Sequence, residues 1–164
     1  MLKSTTAIVA LLLISFPLLA DTPGITDKWG IAKAETNDGG IVLFRYREKL
    51  PDKHFRSQNP HLLSIVWKYK SGSSSTLPNE QTEALMSTFE NQTNALEDQA
   101  LGYLVIIITG QNQREWVWYV ADKQKFTQSL NKALGKQEKY PISLDFSEDP
   151  AWEMHAEFLK SMKQ

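Results

Sequence analysis

Apolar and polar positions alternate from Leu62 to Tyr69, placing Leu63, Ile65, Trp67 and Tyr69 on one side, as in a strand with one buried face. Upstream, Trp29–Thr36 and Ile41–Arg47 read as extended segments around Asn37-Asp38-Gly39-Gly40, residues that tolerate positive φ and so predict a hairpin turn. Residues 48–60, with Pro51 and Pro60, read as a loop, and the Ser-Gly-Ser-Ser-Ser run at 71–75 reads as a flexible link. After Pro78 the period changes: Leu85, Phe89 and Leu96 lie four and seven apart, which predicts an amphipathic helix over Asn79–Asp98. The β-branched run Leu104–Thr109, closed by Gly110, and the segment Glu115–Ala121 predict a second hairpin. Asp122 is suited to cap a helix carrying Phe126, Leu130 and Leu134 on one face until Gly135 stops it. Tyr140–Phe146 is the last predicted strand. Asp149-Pro150 then opens a final helix with Trp152, His155, Leu159 and Met162 along one face. From residue 62 onward the order is β-α-β-β-α-β, which predicts an α+β, ferredoxin-like sandwich preceded by a β-hairpin and followed by a C-terminal helix.

The first twenty residues change the picture of compartment. Lys3 supplies a positive start, Ala7–Ala20 is a charge-free run interrupted by Pro17, and Ala20 precedes a polar stretch, which together predict a secretory signal peptide cleaved before Asp21. The run is shorter than the roughly 18–20 residues that cross a bilayer as a helix, so no stable membrane anchor is expected after cleavage. No cysteine follows it, which excludes a lipid-anchored thiol. The expected mature chain is one domain, residues 21–164, periplasmic or secreted. A chain of that length builds a sufficient core without disulfides.

The composition is globular, 41% hydrophobic and 23% charged, with a formal net charge of −1 that becomes −2 once Lys3 is removed. That balance argues against a polyanion binder, and no nucleic acid partner is expected. The absence of cysteine removes thiol nucleophiles and thiolate metal sites. Phosphate-cradling, dinucleotide-binding, nucleophile-elbow and H-E-x-x-H patterns are all missing. No cofactor and no metal are expected; His54 and His61 alone are too few ligands for zinc.

Three groups of side chains remain as candidates. In the strand Arg114-Glu115-Trp116-Val117-Trp118-Tyr119, Trp116 and Trp118 face one way and Val117 and Tyr119 the other, so both faces are apolar. One reading is a tryptophan platform edged by Arg114 that binds a partner. The other, favoured by the usual burial of large aromatics, is that a further element covers the second face and the tryptophans are core. Adjacent in a strand, Arg114 and Glu115 diverge and should not pair with each other. Residues 145–157 hold Asp145, Glu148, Asp149, Glu153 and Glu157 without a cation, and could serve acid–base chemistry with His155. Helix capping by Asp149 and a dipole contact by Glu153 explain the same residues more simply. Finally, seven Lys or Arg occur between Arg45 and Lys70, whereas residues 71–113 contain none and carry Glu80, Glu83, Glu90, Glu97 and Asp98. Such a separation could make one basic and one acidic face, although runs of this kind are usually solvated.

Thr109-Gly110, Arg114-Glu115-Trp116, Tyr140-Pro141-Ile142 and Asp149-Pro150-Ala151-Trp152 form a series that resembles the bacterial domain-of-unknown-function 695 family. The resemblance spans most of the mature chain and is strongest over residues 109–153. It implies a compact α+β domain and no established activity, so no catalytic residue is carried over. The resulting expectation is a non-catalytic exported domain that binds a protein or envelope component, with Arg114, Trp116, Trp118 and Trp152 as contact candidates. The alternative is a small hydrolase with an acidic site near residues 145–155.

Overall fold

In a computed structural model, which describes residues 24–71, 76–135 and 140–163, six strands form one antiparallel sheet in the order β1-β2-β4-β5-β3-β6. The strands are β1 (Trp29–Glu35), β2 (Ile41–Arg47), β3 (His61–Lys68), β4 (Gly102–Gly110), β5 (Gln113–Val120) and β6 (Ile142–Glu148). Four helices complete the α+β architecture: α1 (Lys53–Gln58), α2 (Glu80–Asp98), α3 (Lys123–Leu134) and α4 (Glu153–Ser161). The expected signal peptide, residues 1–20, and most of the serine-rich link, at 72–75, lie outside the described residues.

Local chemistry accounts for the element ends. The β4–β5 hairpin turns on Gln111 and Asn112, both at positive φ, the two-residue turn whose twist matches an antiparallel pair. Asn79 and Asp122 cap α2 and α3 by accepting the backbone N–H of Thr82 at 2.8 Å and of Lys125 at 2.9 Å. Gly135 ends α3 with φ +69°, a conformation that costs a glycine nothing. The stretch expected as a loop at 48–60 contains α1, a six-residue helix capped by Asp52 onto Phe55 N at 2.9 Å. It is too short to generate a readable apolar period, and only the cap residue announces it.

Alternation along each strand divides the core in two. On one face α2 and α3 lay Met86, Phe89, Leu96, Phe126 and Leu130 against Leu63, Ile65, Trp67, Ile107, Trp116 and Trp118. On the other, α4 and α1 cover Val105, Ile106, Val117 and Tyr119 with Trp152, Met154, Phe158 and Phe55. This second layer explains why β5 is apolar on both faces. The sheet is wider than its helical cover, however. Beyond α2 the hairpin β1–β2 has its outer surface covered by α4, where Phe158 meets Phe44 and Tyr46 at 5.5 and 5.2 Å, while on its α2-side surface the described residues leave Ile31 and Leu43 exposed.

Candidate functional site: a cleft beside the acidic helix

Glu83, Glu90 and Glu97 recur every seven residues, which aligns them along one flank of α2. That flank faces the arginines of β2 and β5. Arg114, with its side chain only 9% exposed, donates two hydrogen bonds to Glu83, at 3.0 and 2.6 Å, and one from Nε to Thr109 Oγ1 at 2.8 Å. The forked contact suits the planar guanidinium in a way an ammonium could not reproduce. Glu90 takes Arg45 at 2.6 Å, the Trp116 indole N–H at 3.1 Å and, at 3.5 Å, the same Arg114 Nη1 that bonds Glu83. Further along, buried Arg47 donates to the carbonyls of Leu104 (2.9 Å) and Thr26 (2.6 Å), to Asp27 (3.3 Å) and to Glu97, and its guanidinium lies 4.7 Å from the Trp29 ring centroid. Two cations of the basic block, Arg45 and Arg47, thus pair with Glu90 and Glu97 of the acidic block, in a row that Arg114 and Glu83 extend and that is about half exposed at Arg45 and Glu83.

At the N-terminal end of this row a cleft of about 250 Å³ opens between α2 and the uncovered hairpin. Its floor is Ile31, Leu43, Ile107 and Thr109; its walls are Arg45 and Arg114 on one side, Ser87 and the two glutamates on the other. Ile31 is 82% exposed and Leu43 37%, making an apolar strip on an otherwise polar rim. At the opposite end a wider cleft of about 470 Å³ is lined by Ile25, Asp27, Arg47, Glu97, Asp98 and Tyr103, among others. Here burial raises the Glu97 carboxyl above its ordinary value, with Arg47 opposing the shift and Asp27 and Asp98 adding to it.

The four contact candidates divide between these settings. Trp116 and Trp118 are 0% and 1% exposed, Trp116 against Phe89 and Trp118 against Phe126, so the platform reading gives way to the core reading: α2 and α3 occupy the face on which a partner would have had to stack. Trp152 is also fully buried, and it precedes α4 instead of lying on it. Its backbone sits in the left-handed region, φ 59°, unusual for so large a side chain and held there by a parallel stack on Tyr119 (3.9 Å, 7°) and a hydrogen bond from the indole N–H to Asn59 O at 2.9 Å. Of the four, Arg114 alone lines either of these two clefts. As expected, it diverges from Glu115, whose carboxylate accepts from the Ser64 hydroxyl on the opposite face.

The titratable residues near the C-terminus have separate partners. Asp149 accepts the backbone N–H groups of Glu153 (2.7 Å) and Met154 (3.1 Å) together with the Tyr119 hydroxyl (2.5 Å), so it caps α4 from four residues ahead and binds it to the sheet. Burial, reinforced by that carboxylate, pushes the Tyr119 hydroxyl far above its ordinary value. His155 is fully buried and donates from Nε2 to the Arg47 carbonyl at 3.0 Å; burial lowers its pKa. Glu148 instead binds Lys123 at 2.6 Å and His61 at 2.9 Å on the surface; its carboxyl is held below the usual range by Lys123 first and by His61 as well. Neither cleft is lined by Asp145, Glu153 or His155. Among the described residues no group of three or more His, Asp or Glu could hold a metal ion, and no helix is long and apolar enough to cross a membrane. Asp149→Ala is expected to cost about 2 kcal/mol, by loss of the cap and of a buried partner for Tyr119, measurable as a lower urea midpoint with an unchanged slope.

Arg47 was not singled out in the sequence, where it is one more cation in a basic strand; only its pairing with Glu97, 50 residues away, distinguishes it. Ile31 was equally silent, because alternation does not say which apolar residue is left without a covering helix. The model of a family of unknown function, DUF695, matches residues 27–160. No curated protein and no solved structure matches the chain.

Proposed function

Because the chain belongs to DUF695, a family of unknown function, we propose from its geometry that it is a non-catalytic, exported binding domain whose contact surface is the cleft between α2 and β1–β2. The observation that carries this is the strip of exposed apolar side chains, Ile31 and Leu43, lying beside the ion-paired arginines Arg45 and Arg114. Apolar contact flanked by arginine is the pattern that concentrates binding energy at protein interfaces. The occupant is a polypeptide segment that inserts apolar side chains beside Leu43 and brings a carboxylate to Arg45, the more exposed of the two arginines. The N-terminal pattern of Lys3, the charge-free run and Ala20 supports a partner in the cell envelope. The order β4-β5-β3-β6, with α2 and α3 on one face, supports the finer reading of these elements as a ferredoxin-like sandwich to which the hairpin and α4 are additions.

The test is a photo-crosslinking residue placed at Leu43 in the native host, with Glu157 on α4 as the distant control position. A polypeptide captured from position 43 and not from 157, and lost in Arg45→Glu, supports the reading. Equal capture from both positions, or none, overturns it. An enzymatic alternative is not favoured, since the groups it would use are spread over a cap, a core histidine and an exposed strand.

A further inference from the structure

We propose that two copies of this chain pair antiparallel through β1, about a two-fold axis at Ala32. Among the described residues strand β1 is bonded only to β2, in a register that sets Trp29 opposite Arg47 and Glu35 opposite Ile41. The backbone bonds from Glu48 N to Lys28 O (3.0 Å) and from Thr36 N to Gly40 O (2.8 Å) fix the phase of that ladder. Even-numbered residues of β1 bond to β2. Trp29, Ile31, Lys33 and Glu35 therefore turn their backbone N–H and C=O groups outward, away from the sheet.

Rotation about Ala32 brings these outward residues together as Ile31 with Lys33 and Trp29 with Glu35, each occurring twice. Four hydrogen-bonded pairs form, eight backbone bonds in all. The intervening close-approach pairs are Gly30 with Ala34, twice, and Ala32 with itself, the positions where adjacent strands come nearest and small side chains fit best. No like charges face each other, and the apolar stem of each lysine lies over the exposed Ile31 of the other copy. The register centred on Lys33 would oppose two ammonium groups, and the one centred on Ile31 would oppose Asp27 and Glu35. The sheet's other edge is unsuited to the same contact: β6 is preceded by Pro141, and pairing about its midpoint would set Asp145 against Asp145. Natural edge strands are commonly guarded in that way, and the centre of β1 is not.

The axis runs perpendicular to the sheet, so both α2 helices stand on the same face. The two clefts then open toward each other across the four strands of the paired hairpins, about 14 Å between the outer strand axes at ordinary strand spacing. A single strand pair is smaller than a standard interface, so the expected dimer is weak, with a dissociation constant on the order of 100 μM. It forms without any other partner and so stands or falls separately from the proposed function.

Sedimentation equilibrium of the purified full-chain product up to about 1 mM, well above the expected dissociation constant, should show reversible dimerisation. Ala32→Glu and Ala32→Lys, each placing like charges at the axis, should weaken it at least tenfold, and mixing the two should restore it. Lys33→Pro removes an outward N–H without touching the β2 ladder and should also abolish it while thermal unfolding stays cooperative. A monomer over the whole range, a dimer indifferent to Ala32→Glu, or no recovery on mixing would overturn the proposal.

Discussion

Trp118→Ala is expected to remove about 3–5 kcal/mol of folding free energy, the range for deleting a large aromatic from a packed core. The ring is 1% exposed, lies at 5.4 Å from Phe126 of α3, and sits in the strand that pairs with both β3 and β4. Little can collapse into the space it vacates, because α3 is held in place by its own cap and by α2. Its indole N–H bonds no described residue, so no described polar partner is orphaned and the loss is one of packing. Trp118→Phe, which keeps most of the apolar volume, should recover more than half of it. Urea unfolding of the three proteins checks this: a lowered midpoint with a constant slope is expected. Loss of partner capture at full stability would instead return Trp118 to the surface and undo the separation of core from cleft made above.

The same strand shows what local pattern conveys and where it stops. Alternation in Arg114–Val120 correctly separates Trp116 and Trp118 from Val117 and Tyr119, and it says that both faces are apolar. It does not say what lies on them, because the covering residues come from α2, α3 and α4, up to some tens of residues away. The residues carrying the family resemblance prove to be structural joints: Thr109 accepts from Arg114, Trp116 donates to Glu90, Tyr140 packs on Trp67 and bonds Gln92 at 2.9 Å, and Asp149 ties Tyr119 to α4. Capping at Asp122 was legible because it acts within one turn. The start of α4 was not, since the pattern placed Pro150 inside the helix, whereas Asp149–Trp152 form a turn, Trp152 N to Asp149 O at 3.0 Å, that swings Trp152 under Tyr119. The cleft was hidden for a related reason: an arginine's partner depends on register between β2, β4 and a helix above them, and net charge by segment carries no information about register.

That dependence on distant partners makes Arg47 the most consequential polar side chain. It is 4% exposed and joins four segments: the stretch before β1 through Thr26 and Asp27, α2 through Glu97, β4 through the Leu104 carbonyl, and α4 through its own carbonyl on His155. Arg47→Met keeps the apolar stem but removes the charge, leaving Glu97 in a partly buried site beside Asp27 and Asp98. Breaking such a pair from one side costs about 3–5 kcal/mol at full burial, and partial access of water to Glu97 places the expectation at the lower end. The pH dependence follows from the direction of the Glu97 shift. Its carboxyl already titrates above the ordinary value because of burial, and Arg47 is the influence holding it down. Without Arg47 the folded-state value rises further. Between the unfolded and folded values the native state keeps a proton that the unfolded chain has released, so stability falls as pH rises through that window. The defect in Arg47→Met should therefore be smallest below the unfolded carboxyl value, near pH 4, and complete above the raised folded value. Adding Glu97→Gln should relieve part of the neutral-pH loss and remove most of its pH dependence, a coupling readable in a double-mutant cycle. A deficit that stays constant with pH, or is unchanged by Glu97→Gln, would show that the lost carbonyl contacts to Thr26 and Leu104, not the bared carboxylate, set the cost.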